Sequence, residues 1–110
     1  MDDLMIVTFS RHGCKKFFKH YVQQRADIER LIGRAIDREV ATGMTKVKLA
    51  TRAKVDGLSC YEFRLNLGRL GSARVAFTYR GQQATVVFIS HDLQKDTFSH
   101  EVDRVLGGSS

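Results

Sequence analysis

The chain has 110 residues, with 18 Lys plus Arg against 12 Asp plus Glu and a formal net charge of +6. One domain fits that length, 43% hydrophobic residues can fill its core, and seven Phe argue against disorder. No apolar run approaches the roughly 20 residues of a membrane span. The acidic Met1-Asp2-Asp3 start is unlike a secretory signal, and Cys14 and Cys60 make no disulfide framework, so a reduced cytoplasmic setting is expected.

Residues 4–9 are short, apolar and β-branched and read as a strand. Ser10 can cap a helix in which Cys14, Phe17, Phe18, Tyr21 and Val22 recur at helical spacing, with Lys15, Lys16, Lys19 and His20 on the other side. Asp27 can cap a second helix whose apolar stripe is Ile28, Leu31, Ile32, Ala35, Ile36 and Val40, and Gly43 stops it. The short link at 23–26 predicts an antiparallel helical hairpin. Residues 44–57 read as an irregular connector that ends in the Asp56-Gly57 turn.

From Leu58 the period becomes two: Tyr61, Phe63 and Leu65 point one way, and Glu62, Arg64 and Asn66 the other. After a turn bracketed by Gly68 and Gly71, Val75, Phe77 and Tyr79 alternate with Arg74, Ala76 and Thr78. Residues 84–89 are continuously apolar, as in a strand covered on both faces. A last helix over 97–106 buries Phe98, Val102, Val105 and Leu106, and residues 107–110 read as a flexible tail. The expected architecture is α+β, a single domain over 1–106 in the order β-α-α-β-β-β-α: a small antiparallel sheet with an N-terminal helical hairpin on one face and a short C-terminal helix. Its other face is expected to be wet, lined by Glu62, Arg64, Asn66, Arg74 and Thr78.

The positive charge lies in two blocks. Residues 11–25 hold five cationic and no acidic side chains, and residues 46–80 hold eight against Asp56 and Glu62. A polyanionic partner is expected, nucleic acid above all. In the second block Lys46, Lys48, Arg52 and Lys54 read either as a basic loop that grips an RNA backbone or as a soluble connector. Arg64 and Arg74 on the polar sheet face could hold a phosphate bidentately, or pair with neighbours such as Glu62.

His91 directly follows the apolar strand, in Ile89-Ser90-His91-Asp92-Leu93. An imidazole on so rigid a mount suits general acid–base work, or simply caps the next turn. Phe98 could stack on a base, although a Phe on a helical stripe is more often core, and Lys95 could reach a phosphate. His12 and His20 fall roughly on one helical face but have no third ligand nearby, and there is no metal motif such as CxxC or HExxH. No cofactor is expected.

Taken together, the element order and the stretch YEFRLNLGRLGSARVAFTYRGQQATVVFISHDLQKDTFSHEVDRVL resemble the RelE/ParE superfamily of bacterial toxins from type II toxin–antitoxin systems, over about residues 4–106. The resemblance implies a RelE-like, microbial-ribonuclease-like fold. It also implies a metal-independent endoribonuclease that cuts messenger RNA, with the ribosomal A site as the expected place, through a 2′,3′-cyclic phosphate. The expected partners are messenger RNA, the ribosome and a cognate antitoxin.

Within that resemblance His91 matches the His after the last strand of YafQ-like members and would be the general acid or base. Arg64, supported by Arg74 or Lys48, would stabilise the phosphorane. Lys46, Arg52, Lys54, Lys95 and Phe98 would meet RNA or ribosome. RelE proper carries an Arg and a Tyr after the last strand, where this chain has Asp92-Leu93-Gln94-Lys95 and then Phe98. The alternatives are a ParE-like, non-catalytic inhibitor of DNA gyrase and a non-toxic basic RNA-binding module.

Overall fold

The computed structural model describes residues 5–107; Leu4 and residues 108–110 of the expected first strand and tail lie outside that range. Strand β1 (Ile6–Phe9) leads into helix α1 (Arg11–His20), a single 3-10 turn and helix α2 (Arg25–Ala41). Four strands follow, β2 (Lys48–Val55), β3 (Leu58–Asn66), β4 (Ser72–Arg80) and β5 (Gln83–Ser90), and helix α3 (Lys95–Gly107) ends the described chain. The chain is thus an α+β protein with one five-stranded sheet in the order β1-β5-β4-β3-β2. Among the described residues no helix is long and apolar enough to cross a membrane.

The helical hairpin forms as its stripes require. Cys14, Phe17 and Phe18 of α1 and Ile28, Ile32, Ala35 and Ile36 of α2 are buried against Phe63, Val75, Phe77, Val86 and Ile89 of the sheet. Helix α2 ends in a paired cap: Gly43, at φ +83, donates to Val40 O, and Met44 N donates to Glu39 O at 2.8 Å. Only a residue at ease with positive φ closes a helix in this way.

Three expectations need correction. The sheet is mixed rather than antiparallel, because β1 runs parallel to β5 with Phe9 opposite Val86. The segment expected to be an irregular loop contains an eight-residue edge strand, β2. Ala50 is its one buried residue, and its pairing with β3 slips between Leu49 and Lys54, so no apolar alternation marks it. Lysine and arginine along an exposed edge also discourage further strand pairing.

The third correction concerns the second sheet face, which is not wet. Helix α3 lies across it, and Phe98 and Val102, both fully buried, pack with Ala50, Cys60, Ala76 and Val87. Glu62 and Thr78 of the expected polar row are buried there, Arg74 is half-buried, and Arg64 and Asn66 stay exposed. A bulge in β5 supports this double cover. Ala76 pairs with Phe88 and Phe77 with Val86, which leaves Val87 as the extra residue. Val87 and Phe88 therefore both serve the α3 side, and Val86 and Ile89 serve the hairpin.

Candidate functional site

Strand β1 covers only half of its neighbour. It stops at Phe9, and β5 runs on to Ser90 with that edge open to helix α1. Ser10 N donates to Val86 O at 2.8 Å, and the chain then turns into α1 beside Val87. Gly13 makes the approach possible, since a Cβ there would lie 1.6 Å from the Val87 carbonyl oxygen. Helix α1 on one side and α3 on the other thus flank the end of β5, and a cleft of about 610 Å³ opens between them.

His91 sits at the end of this cleft, exposed and held on both ring nitrogens. Nδ1 is 2.9 Å from Ser72 O, and Nε2 is 2.6 Å from the Tyr21 hydroxyl. A carbonyl can only accept, so Nδ1 carries the proton. In the neutral ring Nε2 is then the basic nitrogen, and it accepts from Tyr21. Phe17, with its ring centroid 5.1 Å from that of His91, and Tyr21, at 5.5 Å, hold the plane of the imidazole. A ring with one fixed tautomer is equipped to take a proton from a bound hydroxyl that displaces Tyr21 from Nε2.

The cleft walls carry basic side chains. Helix α1 contributes His12, Lys16 and His20, and α3 contributes Arg104 beside Glu101, with which it forms an ion pair. Phe17, Phe88 and Ile89 give an apolar floor. On the far side of α1 a second hollow of about 450 Å³ is lined by Arg11, Lys15, Lys19 and Arg25 around Phe9 and Phe18. The Arg25 guanidinium lies 4.5 Å from the Phe18 ring centre and pairs with Glu29 at 2.7 Å. The first four cations of the first basic block of the sequence therefore lie on the two flanks of α1, and Arg25 of α2 joins one of them.

The sequence-derived set does not gather at His91. Arg64 and Arg74 are register partners, and Arg74 is paired in turn with Ser90, so this row belongs to the α3 face. His91, one residue further on, turns to α1 instead. The Arg74 guanidinium donates to the carbonyl of Leu93 at 2.8 Å and to the carboxylate of Glu62, which is 1% exposed. It is thereby engaged in holding a buried charge and is not presented to a phosphate. Lys95 approaches the same carboxylate at 3.9 Å. Phe98 is fully buried, 5.4 Å from Phe88 between ring centres, so it is core and meets no base.

Lys48 sits opposite Glu62 in the β2–β3 register, and Lys46, Lys48, Arg52 and Lys54 are all exposed on or just before the edge strand. Lys54 Nζ donates to Ser59 Oγ at 2.9 Å. Sequence reasoning missed Tyr21, which it took for core, and Lys16 and Arg104, which carried no motif. The signal for Lys16 is the four-residue step that sets it between His12 and His20; Tyr21 and Arg104 have none.

Both cysteines are buried, and burial pushes their thiols up from 9.0 to about 12. Among the described residues no group of three or more His, Cys, Asp or Glu forms a set able to hold a metal ion. Comparison with protein-family models, with curated proteins and with solved structures gave no significant match.

Proposed function

We propose that the protein is a RelE-like toxin, a metal-independent endoribonuclease that cuts messenger RNA in the bacterial cytoplasm and is restrained by a cognate antitoxin. The observation that carries this reading is the fixed tautomer of His91, with Nε2 held by the Tyr21 hydroxyl at a cleft lined by Lys16 and Arg104. The element order, a helical hairpin followed by an antiparallel meander and a last helix, supports it as well.

In the reaction the ribose 2′-OH gives its proton to Nε2 of His91, and its oxygen bonds to the adjacent phosphorus. The bond from phosphorus to the 5′-oxygen breaks, that oxygen takes a proton from solvent, and His91 returns its own to solvent, which leaves a 2′,3′-cyclic phosphate and a free 5′-OH. No metal is required if fixed cations meet the charge that develops on the phosphorane. Arg74 and Phe98 have no part in this chemistry. Arg64 and the exposed lysines and arginine of residues 46–54 are left to hold RNA or ribosome.

The test is induction of the wild-type chain and of His91→Ala in cells, read by primer extension on messages and by plasmid topology. Message cleavage by the wild type that is lost with His91→Ala is the expected result. Growth arrest with intact message and altered supercoiling would replace this reading with the ParE-like one. That second reading draws support from Phe98, which is buried, and from Arg74, which is engaged by Glu62.

A further inference from the structure

Helix α1 offers the cleft a single row of side chains. His12, Lys16 and His20 are spaced by four residues each, all three are exposed, and all three line the cleft. Residues four apart on a helix stand about 6 Å from one another on one face. That step is close to the separation of successive phosphates along an extended nucleic-acid strand. The helix as a whole, RHGCKKFFKH, contains no acidic residue.

The rest of the cleft matches the row. Arg104 faces it from α3, and Glu101, the one carboxylate in the lining, is already taken by Arg104. Phe88 lies between the walls, half-buried, where an unpaired base could rest against it. Tyr21 and His91 close one end. The geometry points to a binding track for single-stranded RNA: we propose that successive phosphates seat on His12, Lys16 and His20, with the strand running along α1 toward His91. The track thus supplies the substrate path for the nuclease site proposed above and rests on that reading for its purpose. It differs from the basic edge strand β2, which the sequence alone had marked for RNA.

The experiment uses the full chain carrying His91→Ala, so that the probe survives, and a fluorescein-labelled single-stranded oligoribonucleotide of twelve uridines. Lys16→Ala in that background is expected to weaken binding roughly tenfold and to reduce the slope of log affinity against log salt by about one. His12→Gln/His20→Gln is expected to weaken it again, and Arg34→Ala, exposed on α2, to leave it within twofold. All of these positions are exposed, and circular dichroism confirms that each variant is folded. A deoxyribose probe of the same length is expected to bind similarly, since the contacts are to phosphate.

Unchanged affinity in the α1 variants, with loss in the Lys46, Lys48 and Arg52 variants, would overturn the track and leave the nuclease reading standing. Loss of binding in the α1 variants together with no message cleavage by the wild type would overturn the nuclease reading and keep the track. Failure of the twelve-uridine probe to bind the folded His91→Ala chain at low salt would overturn the track outright.

Discussion

The hydroxyl of Tyr21, at the end of α1, lies 2.6 Å from Nε2 of His91, at the end of β5, and joins two segments 70 residues apart. With Nδ1 committed to Ser72 O, the neutral ring has one permitted tautomer. Nitrogen-15 NMR of the neutral imidazole should therefore show Nδ1 protonated and Nε2 bare. Tyr21→Phe should keep that tautomer and cost about 1 kcal/mol in urea unfolding, the worth of one hydrogen bond. On the nuclease reading it keeps cleavage, since it removes a group that competes with the 2′-OH for Nε2. His91→Ala should lower the cleavage rate by about 10²-fold or more. An Nε2-protonated ring would contradict the assignment.

Gly13 and Gly33 make a controlled pair. A methyl group on Gly13 would lie 1.6 Å from the Val87 carbonyl oxygen, inside backbone that cannot yield, whereas on Gly33 the nearest atom is Val7 Cγ2 at 3.8 Å. Gly13→Ala forces α1 off the edge of β5 and should destabilise the fold by about 3 kcal/mol or more. Gly33→Ala lies inside α2 and should stabilise it by up to about 1 kcal/mol, as expected for a helix interior. Thermal unfolding of the two variants reads the difference directly. Equal melting temperatures would mean that α1 does not pack on β5 as described.

How far the sequence could be read depends on what each residue had to signal. Tyr61, Phe63, Val75 and Phe77 alternate because one strand face meets the helical hairpin, and that pattern is visible without coordinates. Strand β2 was invisible because an edge strand with one buried alanine has no pattern to show. The stripe of α3 is legible, but a stripe does not name the face it covers, so Glu62 and Thr78 read as exposed, whereas both are buried. His91 could be found because a strand end marks it. Tyr21 could not, because its aromatic body does pack with the core and only the hydroxyl reaches the cleft.

Arg74 and Glu62 set a limit on mutagenesis of the polar row. Glu62 is 1% exposed and the Arg74 side chain 19%, so removing Arg74 strands a buried carboxylate. Arg74→Met should cost about 3–5 kcal/mol. The double variant Arg74→Met/Glu62→Leu removes both charges and should recover most of that loss, because two apolar groups need no partner. Chemical denaturation of the four members of this cycle measures the coupling. Loss of activity in Arg74→Met would then report unfolding, and Arg64→Met, exposed on the neighbouring strand, should leave stability within about 0.5 kcal/mol of wild type.

Cys14 and Cys60 should be inert in the folded chain. Each is buried, and burial raises each thiol to about 12, with Asp103 adding to the effect at Cys60. The thiolate is the reacting form, so at pH 8 a disulfide reagent should label neither cysteine until the fold opens. Between pH 9 and about 12 the unfolded chain loses these protons while the folded chain retains them, so the contribution of both thiols to stability falls as pH rises through that window. Labelling followed against urea at pH 8 should track the unfolding transition. Stoichiometric reaction in buffer, at the rate of a free cysteine, would place at least one thiol outside the core.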